Sequence, residues 1–67
     1  SSDLEIIAKN ITKLRKERNL KREELSLILG FDNSYISKLE KGRINITIDK
    51  LQKLADFLKI DIYRLLK

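Results

Sequence analysis

Gly30 constrains this chain more than any other residue. It falls inside the stretch LKREELSLILGFDNSYISKLEKG, residues 20–42, between two segments whose apolar side chains recur at helical spacing. In the first segment Leu25 and Leu29 stand one turn apart on one face, which predicts a helix over about residues 21–29. A helix ending there needs a left-handed residue, a conformation that glycine takes at no steric cost. Beyond the turn, Asp32 or Asn33 can accept bonds from free amides and cap a second helix, which runs to about residue 41 and stops at Gly42.

That second helix divides cleanly when its residues are set about 100° apart. Asn33, Ser34, Ser37, Lys38 and Lys41 share one arc, all polar or basic, while Tyr35, Ile36, Leu39 and Glu40 share the opposite, mostly apolar arc. A solvated face usually mixes Glu with Lys, whereas this arc carries amide, hydroxyl and ammonium groups and no acid. One side can pack on a core while the other offers donors and acceptors to a groove. Helix, glycine turn, helix is the layout of a helix-turn-helix unit, here over about residues 21–41.

The rest of the chain supplies the helices such a unit packs against. Leu4, Ile7, Ala8, Ile11 and Leu14 recur at helical spacing from Asp3 onward, with Asn19 as the stop. The cluster Lys13, Arg15, Lys16 and Arg18 reads as a solvated helix end, with Arg15 as the exception. After Gly42 a short extended connector leads to Thr47, which can cap a fourth helix whose buried stripe is Ile48, Leu51, Leu54, Ala55 and Leu58. Asp61 can cap a last short helix, IYRLLK. The fold class is therefore all-α, five helices in a single domain spanning residues 1–67.

Composition agrees and narrows the chemistry. The 67 residues suit one small core, and the absence of proline and cysteine favours a compact helical domain. Without cysteine there is neither a disulfide framework nor a thiolate zinc site, so the cytoplasm is the expected compartment. The apolar runs are too short to span a bilayer, no signal peptide precedes the first helix, and Ser1 and Ser2 read as a frayed end. A net charge of +5 fits binding to a polyanion without demanding it, and it is spread along the chain. No histidine or cysteine is present to act near neutral pH, and no phosphate-cradling GxxxxGK[ST] loop or metal-spaced acidic cluster occurs. The chain is read as a non-enzyme with no cofactor, metal or small-molecule ligand.

Glu24-Leu25, Gly30, Ser34-Tyr35-Ile36-Ser37, Leu39-Glu40, Gly42 and the Leu51…Leu54-Ala55…Leu58 helix together resemble the Cro/repressor-type, or XRE, helix-turn-helix family. The resemblance covers nearly all of the chain and implies a lambda-repressor-like fold. Within the family, FDNSYISKLEKGRINIT is most similar to the controller proteins of restriction–modification systems, which often carry an aliphatic residue where many relatives have proline, here Ile46.

The resemblance also implies roles. The start of the third helix enters the major groove, which makes Asn33, Ser34, Ser37 and Lys38 base readers, in accord with their hydrogen-bonding chemistry. Lys21 and Arg22 replace the family's usual Thr-Gln pair, losing a hydroxyl cap and bringing two cations to the DNA backbone. Lys41 and Arg43 are further backbone contacts. Tyr35 lies on the border of the two arcs, where its ring can pack on the core or lie against the DNA backbone or a thymine methyl. Arg15 and Glu40 occupy the positions of a structural ion pair, and Ser26 stands where relatives commonly have alanine.

The function implied is sequence-specific transcriptional regulation by a homodimer on a two-fold symmetric site in double-stranded DNA, with control of a restriction–modification system as the specific setting. The alternative is a protein-interaction module of the same fold, such as an antitoxin or anti-repressor, acting through Leu27 and Ile28. The dimer surface is placed at Phe57, Ile60, Ile62, Tyr63 and Leu66. Leu27 and Ile28 are the rival patch unless they seal against Phe31 and Tyr63.

Overall fold

The computed structural model describes residues 3–67; the expectation of a frayed end at Ser1 and Ser2 lies outside the described residues. Four α-helices follow one another: α1 (Asp3–Glu17), α2 (Arg22–Ile28), α3 (Tyr35–Glu40) and α4 (Ile48–Leu58). Among the described residues there is no strand, and no helix is long and apolar enough to cross a membrane.

The expected fifth helix is a correction. Ile62–Leu65 forms a single 3-10 turn instead. Asp61 caps it as expected, its Oδ1 accepting from the Tyr63 amide at 2.9 Å, but the backbone bonds run from Arg64 to Asp61 and from Leu66 to Tyr63, three residues apart. Four residues give too little propagation to offset the cost of nucleating an α-helix. The Leu65 carbonyl is also taken from outside the segment, by the Asn10 side-chain amide of α1 at 3.0 Å.

Each helix closes on a left-handed residue. Gly30 (φ 75°) and Gly42 (φ 70°) do so after α2 and α3, and Asn19 (φ 55°) and Lys59 (φ 58°) after α1 and α4. At Gly30 the Phe31 amide reaches back to the Ser26 carbonyl at 2.8 Å, and at Gly42 the Arg43 amide reaches the Lys38 carbonyl at 3.1 Å. These bonds satisfy carbonyls that a helix end leaves open. Lys59 has no sequence signal for this role. Arg18, read as part of a solvated helix end, donates to the Leu14 and Leu58 carbonyls and so ties the ends of α1 and α4 together.

One core joins all these elements: Ile7, Ile11 and Leu14 of α1, Leu25 and Leu29 around α2, Ile36 and Leu39 of α3, Leu51, Leu54, Ala55 and Leu58 of α4, and Leu65. Ile48 departs from its expected place in the buried stripe. As the first residue of α4 it lies one turn beyond the core and is 69% exposed.

The expected ion pair is present. Arg15 Nε and Nη2 grip the two Glu40 carboxylate oxygens at 2.7 and 3.1 Å, and Arg15 Nη1 donates to the Leu20 carbonyl at 2.8 Å. Both side chains are buried, and Arg22 Nε adds a third bond to Glu40 at 3.0 Å. Burial alone would raise the Glu40 carboxyl, but hydrogen bonds from Arg15, Arg22 and Thr12 outweigh it and hold the group below its ordinary value.

Removing one partner of a buried pair leaves an uncompensated charge, so Glu40→Gln should cost about 3 kcal/mol in urea unfolding. The lowered carboxyl also fixes a pH dependence. Its stabilisation is complete above the ordinary glutamate value and is lost as pH falls through the lowered folded value. Glu40→Gln should therefore flatten the acid limb of the stability curve, and an unchanged limb would mean that the pair carries no stability.

Candidate nucleic-acid interface

α3 contains only six residues, too few to be stable alone, so its orientation is set by what holds it. On its inner side Ile36 and Leu39 are fully buried. At its start Ser26, buried in α2, accepts a bond from the Ile36 amide at 3.1 Å. A side chain of the first helix of the pair thus caps the second, giving a direct function to the hydroxyl at a position where alanine is common.

Asp32 shapes the entry. Its carboxylate accepts from the Ser34 amide at 3.2 Å and from the Ser34 hydroxyl. Those two bonds, hydroxyl first, hold the Asp32 carboxyl below its usual range; desolvation opposes them, and the nearby Lys38 ammonium adds the least. The expected helix start at Asp32 or Asn33 shifts accordingly. Asn33 and Ser34 lie in the turn before α3, Ser34 is the cap residue, and the helix begins at Tyr35. An Asx turn takes up the Ser34 amide ahead of the helix, so the helix begins later.

At the start of α2 Lys21 occupies the cap position, and the Glu24 carboxylate accepts from the Lys21 amide at 2.8 Å. The ammonium, a donor only, cannot complete the reciprocal bond that a hydroxyl would make. Lys21, Arg22 and Glu23 line one groove together with Asn33, Ser34 and Ser37. The fold therefore brings three of the four expected base readers beside two of the expected backbone cations. Lys38, the fourth reader, is exposed next to Asp32. Arg22 is half engaged, its Nε spent on Glu40 and its side chain 51% exposed.

The other residues are placed apart. Lys41 lines a second groove with Lys9, Lys13 and Lys16 of α1, and Arg43 is exposed in the connector after Gly42. Tyr35 is half buried against the core, which raises its phenol above the ordinary value. Its ring meets Phe31 with centroids 4.8 Å apart, and the Lys50 ammonium lies 4.7 Å from the Tyr35 centroid. Lys50 carried no expectation of its own, because only folding brings it to the start of α3. Among the C-terminal residues, Phe57, Tyr63 and Leu66 are exposed while Ile60 and Ile62 pack partly on the core. Leu27 and Ile28 are 66% and 53% exposed, so they do not seal the fold.

A sequence profile of helix-turn-helix proteins, HTH_3, matches residues 11–65. The chain belongs to the XRE-type helix-turn-helix family. It is 38% identical over 55 residues to the uncharacterized HTH-type transcriptional regulator y4dJ of Sinorhizobium fredii, covering 82% of this chain and 71% of that one. It is 36% identical over 62 residues to the control protein C.SmaI of Serratia marcescens, covering 92% and 74%. It superposes with a TM-score of 0.87 and 31% identity on the restriction-modification controller protein C.AhdI of Aeromonas hydrophila, covering 97% and 98%. This is a family of DNA-binding transcription regulators, not of enzymes, and the chain is such a regulator with controller proteins among its relatives.

Within this helix-turn-helix unit the joint at Ser26 is directly testable. Ser26→Ala leaves the Ile36 amide without its buried acceptor and should cost about 1–2 kcal/mol in thermal unfolding. A variant as stable as the parent would show that α3 needs no cap from α2.

Proposed function

We propose that this regulator binds a two-fold symmetric operator in double-stranded DNA as a homodimer, in the cytoplasm, with α3 in the major groove of each half-site. The carrying observation is the acid-free polar arc of α3, turned away from the core and continuous with the Lys21–Arg22 groove. Asn33, Ser34, Ser37 and Lys38 read base edges, since an amide suits adenine, an ammonium suits guanine and a hydroxyl suits either. Lys21, Arg22, Lys41 and Arg43 hold phosphates and set the register, and Tyr35 borders the contact. Residues 1–67 act as one DNA-binding domain.

Phe57, Tyr63 and Leu66 form the exposed centre of the dimer surface, with Ile60 and Ile62 beneath. Two recognition helices on adjacent major grooves lie about 34 Å apart. A protomer of 27 × 24 × 22 Å is of the size that gives such a separation when two copies sit side by side. The names of C.SmaI and C.AhdI support control of a restriction–modification system as the setting. The exposed Leu27 and Ile28 favour a second reading, in which the fold binds a partner protein as an antitoxin or anti-repressor does.

A titration with labelled duplex separates the two. Neutralising about 6–10 phosphates per dimer should weaken binding by roughly 10³-fold or more between 50 and 200 mM salt. Asn33→Ala should lose about 1–3 kcal/mol on the preferred site only, whereas Arg43→Ala should weaken all sequences alike and make the salt slope shallower. Affinity that is flat across this range would favour the protein-interaction reading. For the dimer, Phe57→Lys should sediment as a folded monomer that binds its operator weakly. If it stays dimeric while Leu27→Lys is monomeric, the interface lies on α2 instead.

A further inference from the structure

The cation–aromatic cluster at the start of α3 has a geometry that a purely structural role does not require. The Phe31 and Tyr35 rings meet across the turn that leads into α3, and Lys50 from the first turn of α4 places its ammonium 4.7 Å from the Tyr35 centroid and 5.5 Å from that of Phe31. Lys53, one turn further along α4, reaches Phe31 at 5.6 Å. Lys50 is exposed, and among the described residues no carboxylate forms an ion pair with it.

Its position relative to α3 decides the inference. With Ile36 and Leu39 buried in the core, Ser37 and Lys38 straddle the outward direction of α3, about 50° to either side of it. At about 100° per residue, Glu40 lies about 60° from Ser37 on one border of that outward arc, and Tyr35 lies about 60° from Lys38 on the other. Each border carries a cation from a neighbouring helix, Arg22 bonded to Glu40 and Lys50 over Tyr35. The major groove that receives a helix is about 12 Å wide and walled by a phosphate strand on each side. A carboxylate fixes the cation at one wall and two aromatic faces fix the cation at the other. Ring faces attract an ammonium while leaving its N–H donors unspent, free to meet phosphate oxygens.

We propose that Lys50 is a phosphate contact of the DNA-binding face, held ready by Tyr35 and Phe31 to grip the strand opposite the one that Arg22 meets. This rests on the reading of α3 as the groove helix. Tyr35 thereby acts as a positioning residue, placing a cation where that DNA strand passes.

The test uses the full chain and a labelled random-sequence duplex, with folding checked by circular dichroism. Lys50→Gln should weaken binding about 5–10-fold per subunit near 0.1 M salt and make the log–log salt slope shallower by about 1 per subunit, while Lys50→Arg restores both. Lys53→Gln should leave the slope nearly unchanged, and Lys50→Gln should cost less in a Tyr35→Leu background than in the parent. A parental slope for Lys50→Gln, or an equal loss for Lys53→Gln, would overturn the contact. Equal cost of Lys50→Gln with and without the tyrosine would overturn the positioning by the ring. If the parent protein itself binds no duplex, the groove-helix reading fails with it, an outcome distinct from a salt-dependent parent with an indifferent Lys50.

Discussion

The structure depends on the joint formed by Arg15, Glu40 and Arg22. Glu40 sits on the inward side of α3, where a lone carboxylate would have to give up its charge or pull the helix outward. Arg15 answers from α1 with a two-pronged grip, and Arg22 answers from α2. One carboxylate thus fixes the mutual placement of three helices. Arg15 also binds the Leu20 carbonyl, so the α1–α2 connection is locked by the same guanidinium. Hydrophobic burial of Ile36 and Leu39 holds α3 against the core, but apolar contact is non-directional and leaves rotation about the helix axis weakly determined. The bidentate pair supplies the direction.

Orientation matters because α3 is short and its two faces differ so sharply. The Ile36 amide near its start and Glu40 at its end are bonded to neighbouring helices, so both ends of a six-residue helix are pinned. What remains free is the arc that carries Ser37 and Lys38, with Asn33 and Ser34 presented by the Asp32 turn just ahead. A reading surface needs such fixity, since base edges are discriminated by bonds with narrow distance and angle limits. At the far border the paired rings of Phe31 and Tyr35, in place of a carboxylate, serve as the platform for the Lys50 ammonium.

Much of this was legible in the sequence, for local reasons. Gly30 and Gly42 mark helix ends because left-handed backbone favours glycine, and Thr47 and Asp61 announce caps because their oxygens reach amides two or three residues on. The Arg15–Glu40 pair was legible through the inward phase of Glu40 together with the family resemblance. Features set by the third dimension were not. Ile48 continues the α4 stripe in sequence, but the core ends a turn before it. The final segment has a helical composition, yet Asn10 from α1 takes its carbonyl. The start of α3 lies at Tyr35 because an Asx turn at Asp32 takes up the Ser34 amide ahead of it. Lys50 is separated from Tyr35 by fifteen positions and a connector, so no periodicity links them.

In the proposed complex two copies of the α3 polar arc read the base edges of successive major-groove faces. Selection of bound duplexes from a random-sequence pool, followed by sequencing, tests this most directly. One enriched motif is expected, made of two inverted half-sites with centres about 10–10.5 base pairs apart. A bound pool with no enriched sequence, or a motif with a single half-site, would contradict it.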